Sequence, residues 1–267
     1  MWAWLQRLTR TAGTPHPIPE ALWRTTLVDF PFLADRPATA QQRLRELSAH
    51  FLADKEFHGA QGLVVTDAMA VAIAAQACLP VLHLGRDQQP LLWYDDFVGI
   101  VVHPNEVVAP REVMDEDGVV HHYTEVVAGE VMPGGPVMLS WQDVTAASSE
   151  TGYNVVIHEF VHKLDLRDGV ADGCPPLPPG FLGQAQTRHA RAHWLRTLAA
   201  SYDVFREQVI LAERFGAPAP WLDPYGAQSL DEFFAVASEA YFVNHARFAQ
   251  DFPSLMPLFD GFFLAGG

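Results

Sequence analysis

The order of apolar patterns along the chain predicts an α+β fold. One two-lobed unit is expected, with N-terminal helices and a small sheet followed by a helical C-terminal half. Three observations carry that prediction. Helices are predicted over 38–52 and 66–78, β-type segments separated by Gly and Pro turns run to residue 141, and helical spacing returns from Tyr153 onward. The 267 residues are expected to form a single domain, with an α/β lobe over about 1–150, a helical lobe over about 151–267, and a cleft between them.

Taken in order, a Pro-rich entry (Pro15, Pro17, Pro19) leads to Leu44, Leu47 and Phe51, whose i, i+3, i+7 spacing predicts a helix over 38–52. Thr66 is a suitable N-cap for a second helix to Cys78, which Pro80 stops. Strands are predicted over 80–84, 91–103, 119–127 and 137–141. Leu139-Ser140-Trp141 reads either as an edge strand able to hydrogen-bond an extended peptide or as a plain structural strand. Helices are predicted over 153–164, 184–200, 202–215, 229–243 and 246–260, with a loop rich in Pro, Gly and Asp over 167–180.

Composition narrows the function classes. A formal net charge of −15 repels phosphate backbones, and only two lysines (Lys55, Lys163) with scattered arginines leave no basic patch, so direct nucleic acid binding is not expected. The uncharged apolar stretch over 68–82 is broken by Gln76 and Pro80 and falls short of the roughly 20 residues of a membrane span. At the N-terminus, MWAWLQRLTRTAG places a short apolar patch before Arg7 and Arg10, the wrong order for a signal peptide. Two distant cysteines, Cys78 and Cys174, fit free buried thiols in a reducing compartment. A cytoplasmic protein is expected.

The chemistry lies in NVVIHEFVHKLD. His158 and His162 are four residues apart, one above the other on a helix face, so both imidazoles can reach one metal ion. Neutral imidazole suits zinc, which in catalytic sites keeps a position open for water. Glu159, one residue on, can take a proton from that water without binding the metal. Three fixed residues also recur by chance. Here Val155, Val156, Ile157, Phe160, Val161 and Leu164 make the helix largely buried, and buried ionisable groups are costly unless something pairs them.

Two sources of a third ligand fit the spacing. The metzincin pattern would place Asp168 on the metal, but it wants glycine where Asp165 stands. The other source is a glutamate on a later helix, and Glu232 in SLDEFFAVASEAYF is the candidate. Ser229 to Glu232 also reads as a capping box, with the glutamate folded back on the Ser229 amide, so cap and ligand both stay open. If Glu232 is a ligand, Glu239, seven residues on and on the same face, would orient a ligand histidine through its other ring nitrogen. His189 and His193 form a second i, i+4 pair, but Arg188 and Arg191 beside them suggest a solvated face. His121 and His122 are neighbours in a predicted strand and cannot both reach one site.

These residues, with further blocks in the same order, resemble the Mlc titration factor A family of zinc peptidases over nearly the whole chain. The blocks are Lys55-Glu56-Phe57 with Gly59-Ala60, the run from Gln76 through Leu82, Gly118-Val119-Val120-His121, Gly135-Pro136-Val137 with Leu139-Ser140-Trp141, and Asn154 through Asp165. Asp223-Pro224-Tyr225-Gly226-Ala227 and Glu232-Phe233-Phe234-Ala235-Val236 complete the set, and this C-terminal part is also similar to the anthrax lethal factor metalloprotease domain. One departure is Val161, where relatives commonly carry alanine.

The resemblance implies that Glu232 is the third zinc ligand and that Tyr225 points its hydroxyl at the water or the developing oxyanion. It further implies one Zn2+ per chain, aminopeptidase-type hydrolysis of a peptide or protein substrate, and binding of the glucose repressor Mlc, with an effect on phosphotransferase-system gene expression. A regulatory binding module that sequesters a transcription factor, with latent or incidental peptidase activity, shares every one of these motifs.

Overall fold

The computed structural model describes residues 15–85, 89–105, 107–114, 120–127, 129–131 and 134–265. The N-terminal run over 1–13, and Gly118 and Val119 of the blocks above, lie outside the described residues.

The chain opens with helices α1 (Glu20–Asp29), α2 (Pro31–Ala34) and α3 (Ala38–Asp54), then strand β1 (Glu56–Gly59) and helix α4 (Asp67–Cys78). Thr66 caps α4 as expected, its hydroxyl accepting from the Met69 amide at 3.3 Å. Next come β2 (Gly99–His103), β3 (Val107–Met114), β4 (Val120–Val127), β5 (Gly129–Val131), β6 (Val137–Ser140) and the short helix α5 (Trp141–Thr145). The remainder is helical: α6 (Val155–Asp165), α7 (Thr187–Phe215), α8 (Leu230–Val243), α9 (His245–Asp251) and α10 (Met256–Phe263). The architecture is α+β with a helix-rich C-terminal half. Among the described residues, no helix is long and apolar enough to cross a membrane.

The sheet order is β1-β2-β6-β5, with β1, β2 and β6 parallel and β5 antiparallel to β6, and β3 and β4 form a separate hairpin. Ile100 opposite Val137 and Val102 opposite Leu139 are fully buried, as the period of two requires of residues on the packed face. Strand β6 therefore lies inside the sheet, and the edge-strand reading of Leu139-Ser140-Trp141 is corrected: the edges are β1 and β5, and Trp141 begins α5.

Other expectations also change. Residues 80–84 form tight turns rather than a strand, with the Leu82 amide donating to the Leu79 carbonyl and Leu84 to Val81. A short apolar run reads alike for strand and for buried turn, and here Val81, Leu82 and Leu84 are simply core. Within 91–103, Pro90–Tyr94 is a 3-10 turn and only Gly99–His103 is strand. The helices expected over 184–200 and 202–215 are one, α7, because no Gly or Pro interrupts the chain at Ser201 and its hydroxyl bonds back to the Thr197 carbonyl. The helix over 246–260 is two, α9 and α10, with Pro253 between them. Strand β1, mostly exposed, lacks the apolar alternation that would have revealed it.

Helix α6 lies at the junction, packed against α4, α5, α8, β5 and β6. On one side Phe160 meets the rings of Phe51, Tyr94 and Phe97. On the other, α8 is backed by an aromatic cluster in which Trp194 contacts Phe234, Phe259 and Phe262. Lys163, fully buried, ties α6 to the 95–97 segment: its Nζ lies 3.2 Å from Asp96 Oδ2 and 3.2 Å from the Gly135 carbonyl, over the Phe97 ring. The 167–180 loop is pinned where Asp165 Oδ2 accepts from the Gly173 amide at 2.8 Å and the Gly173 carbonyl accepts from Trp194 Nε1. A side chain at Gly173 (φ +77°) would stand 2.9 Å from the Leu230 carbonyl oxygen, so glycine lets this loop close on the first turn of α8.

Burial pushes the Asp165 carboxyl up from its ordinary 3.8 to about 7, against the pull of the Gly173 amide. Between those values the folded chain holds a proton that the unfolded chain has released, so stability falls as pH rises through that window. Asp165→Asn removes this contribution. Urea unfolding at pH 4.5 and 7.5 is expected to give a smaller loss on going to the higher pH for Asp165→Asn than for the unaltered protein.

Candidate metal centre

The site begins with the start of α6. Asn154 is the N-cap, in extended conformation, its Oδ1 accepting from the Ile157 amide at 2.9 Å. One turn on, His158 and His162 project from the same face, ring centroids 4.8 Å apart, with their Nε2 atoms 3.2 Å from each other. Glu232, in the first turn of α8, brings Oε2 to 3.1 Å from His158 Nε2 and 3.2 Å from His162 Nε2. Among the described residues, these three side chains are the group that could hold a metal ion.

The triangle tests whether a metal fits. Donors about 2.0–2.2 Å from a tetrahedral zinc lie roughly 3.3–3.6 Å from one another. The 3.1–3.2 Å edges match one face of such a tetrahedron to within a few tenths of an ångström. Two imidazoles and one carboxylate also make a donor set of the catalytic kind, with the fourth position left to water or substrate.

The cap-or-ligand alternative for Glu232 divides between backbone and side chain. Ser229 Oγ accepts from the Glu232 amide at 3.4 Å, so Ser229 caps α8, while the Glu232 carboxylate turns to the two imidazoles. The metzincin alternative is not what the fold brings together, because Asp168 accepts from the Val170 amide and faces Arg191 on α7. Glu239, two turns along α8 from Glu232, holds His158 from behind: its Oε1 is 2.7 Å from His158 Nδ1 and its Oε2 accepts from the Asn154 amide. With a proton on Nδ1, neutral His158 presents a bare Nε2 to the centre. His189 is exposed, and neither it nor His193, both on α7, belongs to this group. His121 and His122 are successive residues of β4, opposite Val113 and Glu112.

Electrostatics separate the three glutamates. Burial raises the Glu159 carboxyl to about 7, against the pull of His158 and His162. Burial would likewise raise Glu232, but its hydrogen bonds to both imidazoles hold it well below the usual carboxylate range. Glu239 is raised by burial, with the His158 contact opposing. Burial would lower His158, yet its bonds to Glu232 and Glu239 push it well above its ordinary value. Such a cluster of carboxylates favours positive charge at its centre.

Tyr225 arrives from the 3-10 turn Pro224–Ala227, capped by Asp223 Oδ1 accepting from the Tyr225 amide at 2.9 Å. Its ring centroid is 5.9 Å from that of His158, beside the candidate ligands. The turn is held down by Tyr202, whose hydroxyl donates to the Ala227 carbonyl at 3.0 Å. Two residues of the site escaped the sequence reading. Asn154 carried a signal, an N-cap residue ahead of an apolar helix, while Gln76, whose Oε1 accepts from Asn154 Nδ2 at 2.7 Å, read as a break in an apolar run and as the start of a resemblance block, with no role in the site.

Comparison with known proteins accords with this geometry. The family model described as glucose-regulated metallo-peptidase M90 matches residues 3–264. The chain is 34% identical over 245 residues to "Mlc titration factor A" of Klebsiella pneumoniae (strain 342), covering 91% of this chain and 86% of that protein. It is 33% identical over 262 residues to the protein of the same name from Cronobacter sakazakii, covering 98% and 90%, and 34% identical over 244 residues to that from Serratia proteamaculans, covering 91% and 86%. With a match that spans nearly every residue described above, the chain belongs to the glucose-regulated metallo-peptidase M90 family.

Proposed function

We propose that this protein is a zinc-dependent peptidase of aminopeptidase type, holding one zinc ion through His158, His162 and Glu232. The observation that carries the reading is the 3.1–3.2 Å triangle of Nε2, Nε2 and Oε2, with Glu159 buried on the same helix. When bound, the zinc supplies Lewis acidity, making water more acidic and a peptide carbonyl more electrophilic. Glu159 takes the proton from the attacking water and passes it to the leaving amine; a carboxyl raised to about 7 by burial suits both transfers near neutral pH. Tyr225 donates its phenol proton in a hydrogen bond to the oxygen that gains charge. Glu239 keeps the His158 ring oriented. The whole chain is read as one two-lobed unit with the site between its lobes. The free buried thiols of Cys78 and Cys174 support a reducing, cytoplasmic setting.

A second reading is supported by the name of the relatives, "Mlc titration factor A". In that reading the chain binds a Mlc-type repressor and so affects phosphotransferase-system genes, with its peptidase activity incidental. Purified Mlc-type repressor mixed with Glu159→Gln separates the two: binding kept while turnover is lost shows that binding does not need the peptidase chemistry and favours this second reading.

The ligand set predicts about one zinc per chain by metal analysis. His158→Ala, His162→Ala and Glu232→Gln are each expected to abolish tight binding, although glutamine still leaves the Ser229 cap intact. Undiminished zinc in all three would sink the assignment.

Glu159→Gln and Tyr225→Phe are expected to keep zinc and fold. Glu159→Gln should cut turnover of a peptide substrate by more than the roughly 10²–10⁴-fold usual for a general base, since one group acts twice. Tyr225→Phe should lower kcat by about 10²–10³-fold with little change in KM. Full turnover by zinc-loaded Glu159→Gln would refute the mechanism.

A further inference from the structure

From the hydrogen bonds that run into the site from the N-terminal half of the chain, we infer that Gln76 is a positioning residue for the metal centre. It acts through Asn154 and Glu239 on His158. This rests on the metal-site reading above. Gln76 sits on α4, fully buried, with Nε2 donating to the Ala72 carbonyl at 3.0 Å and Oε1 accepting from Asn154 Nδ2 at 2.7 Å. Asn154 is also fully buried, and its side chain is fixed at both ends, by Gln76 and by the Ile157 amide. That double hold sets the plane of the Asn154 side chain and with it the backbone at the N-cap. The Asn154 main-chain N–H is thereby aimed at Glu239 Oε2, while Glu239 Oε1 meets His158 Nδ1. Each link is a hydrogen bond between buried groups, and α4, α6 and α8 each contribute at least one member.

The energetic argument is one of alternatives. Without the Gln76 oxygen, the Asn154 amide would be buried and unpaired, and a buried donor seeks a partner even at the cost of local geometry. The accessible relaxation is rotation of the Asn154 side chain, which gives up the cap bond to Ile157 and shifts the N–H that Glu239 receives. Glu239 then has one fewer bond holding it behind His158. Groups that orient a metal-binding histidine commonly change metal affinity by about 10- to 100-fold when removed. Gln76 is one link further out, so the lower end of that range is expected.

The test is zinc affinity of purified, metal-stripped and reloaded full-length protein, measured by competition with a chelator. Gln76→Met, which keeps the bulk but not the acceptor, should bind zinc about tenfold more weakly. Asn154→Ser, which still caps α6 but cannot reach Gln76, should lose a similar amount. The double variant should be no weaker than the weaker single one, because both changes break the same bond. Gln76→Glu, buried and protonated, presents an acceptor oxygen and a donor at the same reach and should restore affinity. Thr26→Val, which removes a buried hydroxyl on α1 that bonds to the Leu22 carbonyl and is no part of this chain of hydrogen bonds, should leave affinity unchanged whatever it does to stability. Wild-type affinity in Gln76→Met, multiplied losses in the double variant, or an equal loss in Thr26→Val would each overturn the inference. Failure of the unaltered protein to bind zinc would instead overturn the metal-site reading on which it rests.

Discussion

The structure depends on how an apolar helix accommodates ionisable residues. Helix α6 buries His158, Glu159, Lys163 and Asp165 among Val155, Val156, Ile157, Phe160, Val161 and Leu164. Breaking one buried charge pair typically costs about 3–5 kcal/mol, against a whole-domain stability of about 5–15 kcal/mol. Two unpaired charges on this helix would offset most of the margin. The packing around α6 therefore brings partners to the histidines, Lys163 and Asp165, while Glu159 meets burial by holding its proton more tightly. Glu239 and Glu232 come from α8 to the histidines, Asp96 and the Gly135 carbonyl come to Lys163, and the Gly173 amide comes to Asp165.

The same constraint builds the chemistry. Carboxylates of one residue type are driven apart in character by a few ångströms of placement. Glu232 sits against two imidazoles and stays readily ionised, while Glu159 on the buried helix holds its proton to about pH 7. A pair of carboxyls tuned in opposite directions gives the site one group held ionised and one that keeps its proton to near neutrality. Burial does both jobs: it raises Glu159, and it makes the hydrogen bonds to Glu232 strong enough to prevail over desolvation. Precision in the triangle follows from mounting its corners on two helices whose starts are capped, by Asn154 and Ser229, rather than on loops.

The sequence by itself determined the elements whose signal is local. Thr66 before an apolar run and Ser229 before another announce α4 and α8, and Asn154 carried the same unread signal for α6, because a cap is satisfied by amides two or three residues away. The i, i+4 histidines with Glu159 were legible for the same reason: helix pitch alone places them on one face. What only the tertiary structure decided are the relations between distant segments. These include Glu232 turning away from its own cap to the His162 imidazole 70 residues earlier, Glu239 reaching His158 across 81, and Gln76 meeting Asn154 across 78. They also include β6 lying inside the sheet, since strand order is set by which neighbours pair and a strand's own residues do not specify it. Local periodicity records which face of an element is buried. It carries no record of what that face is buried against, and the candidate metal centre lies where two such faces meet.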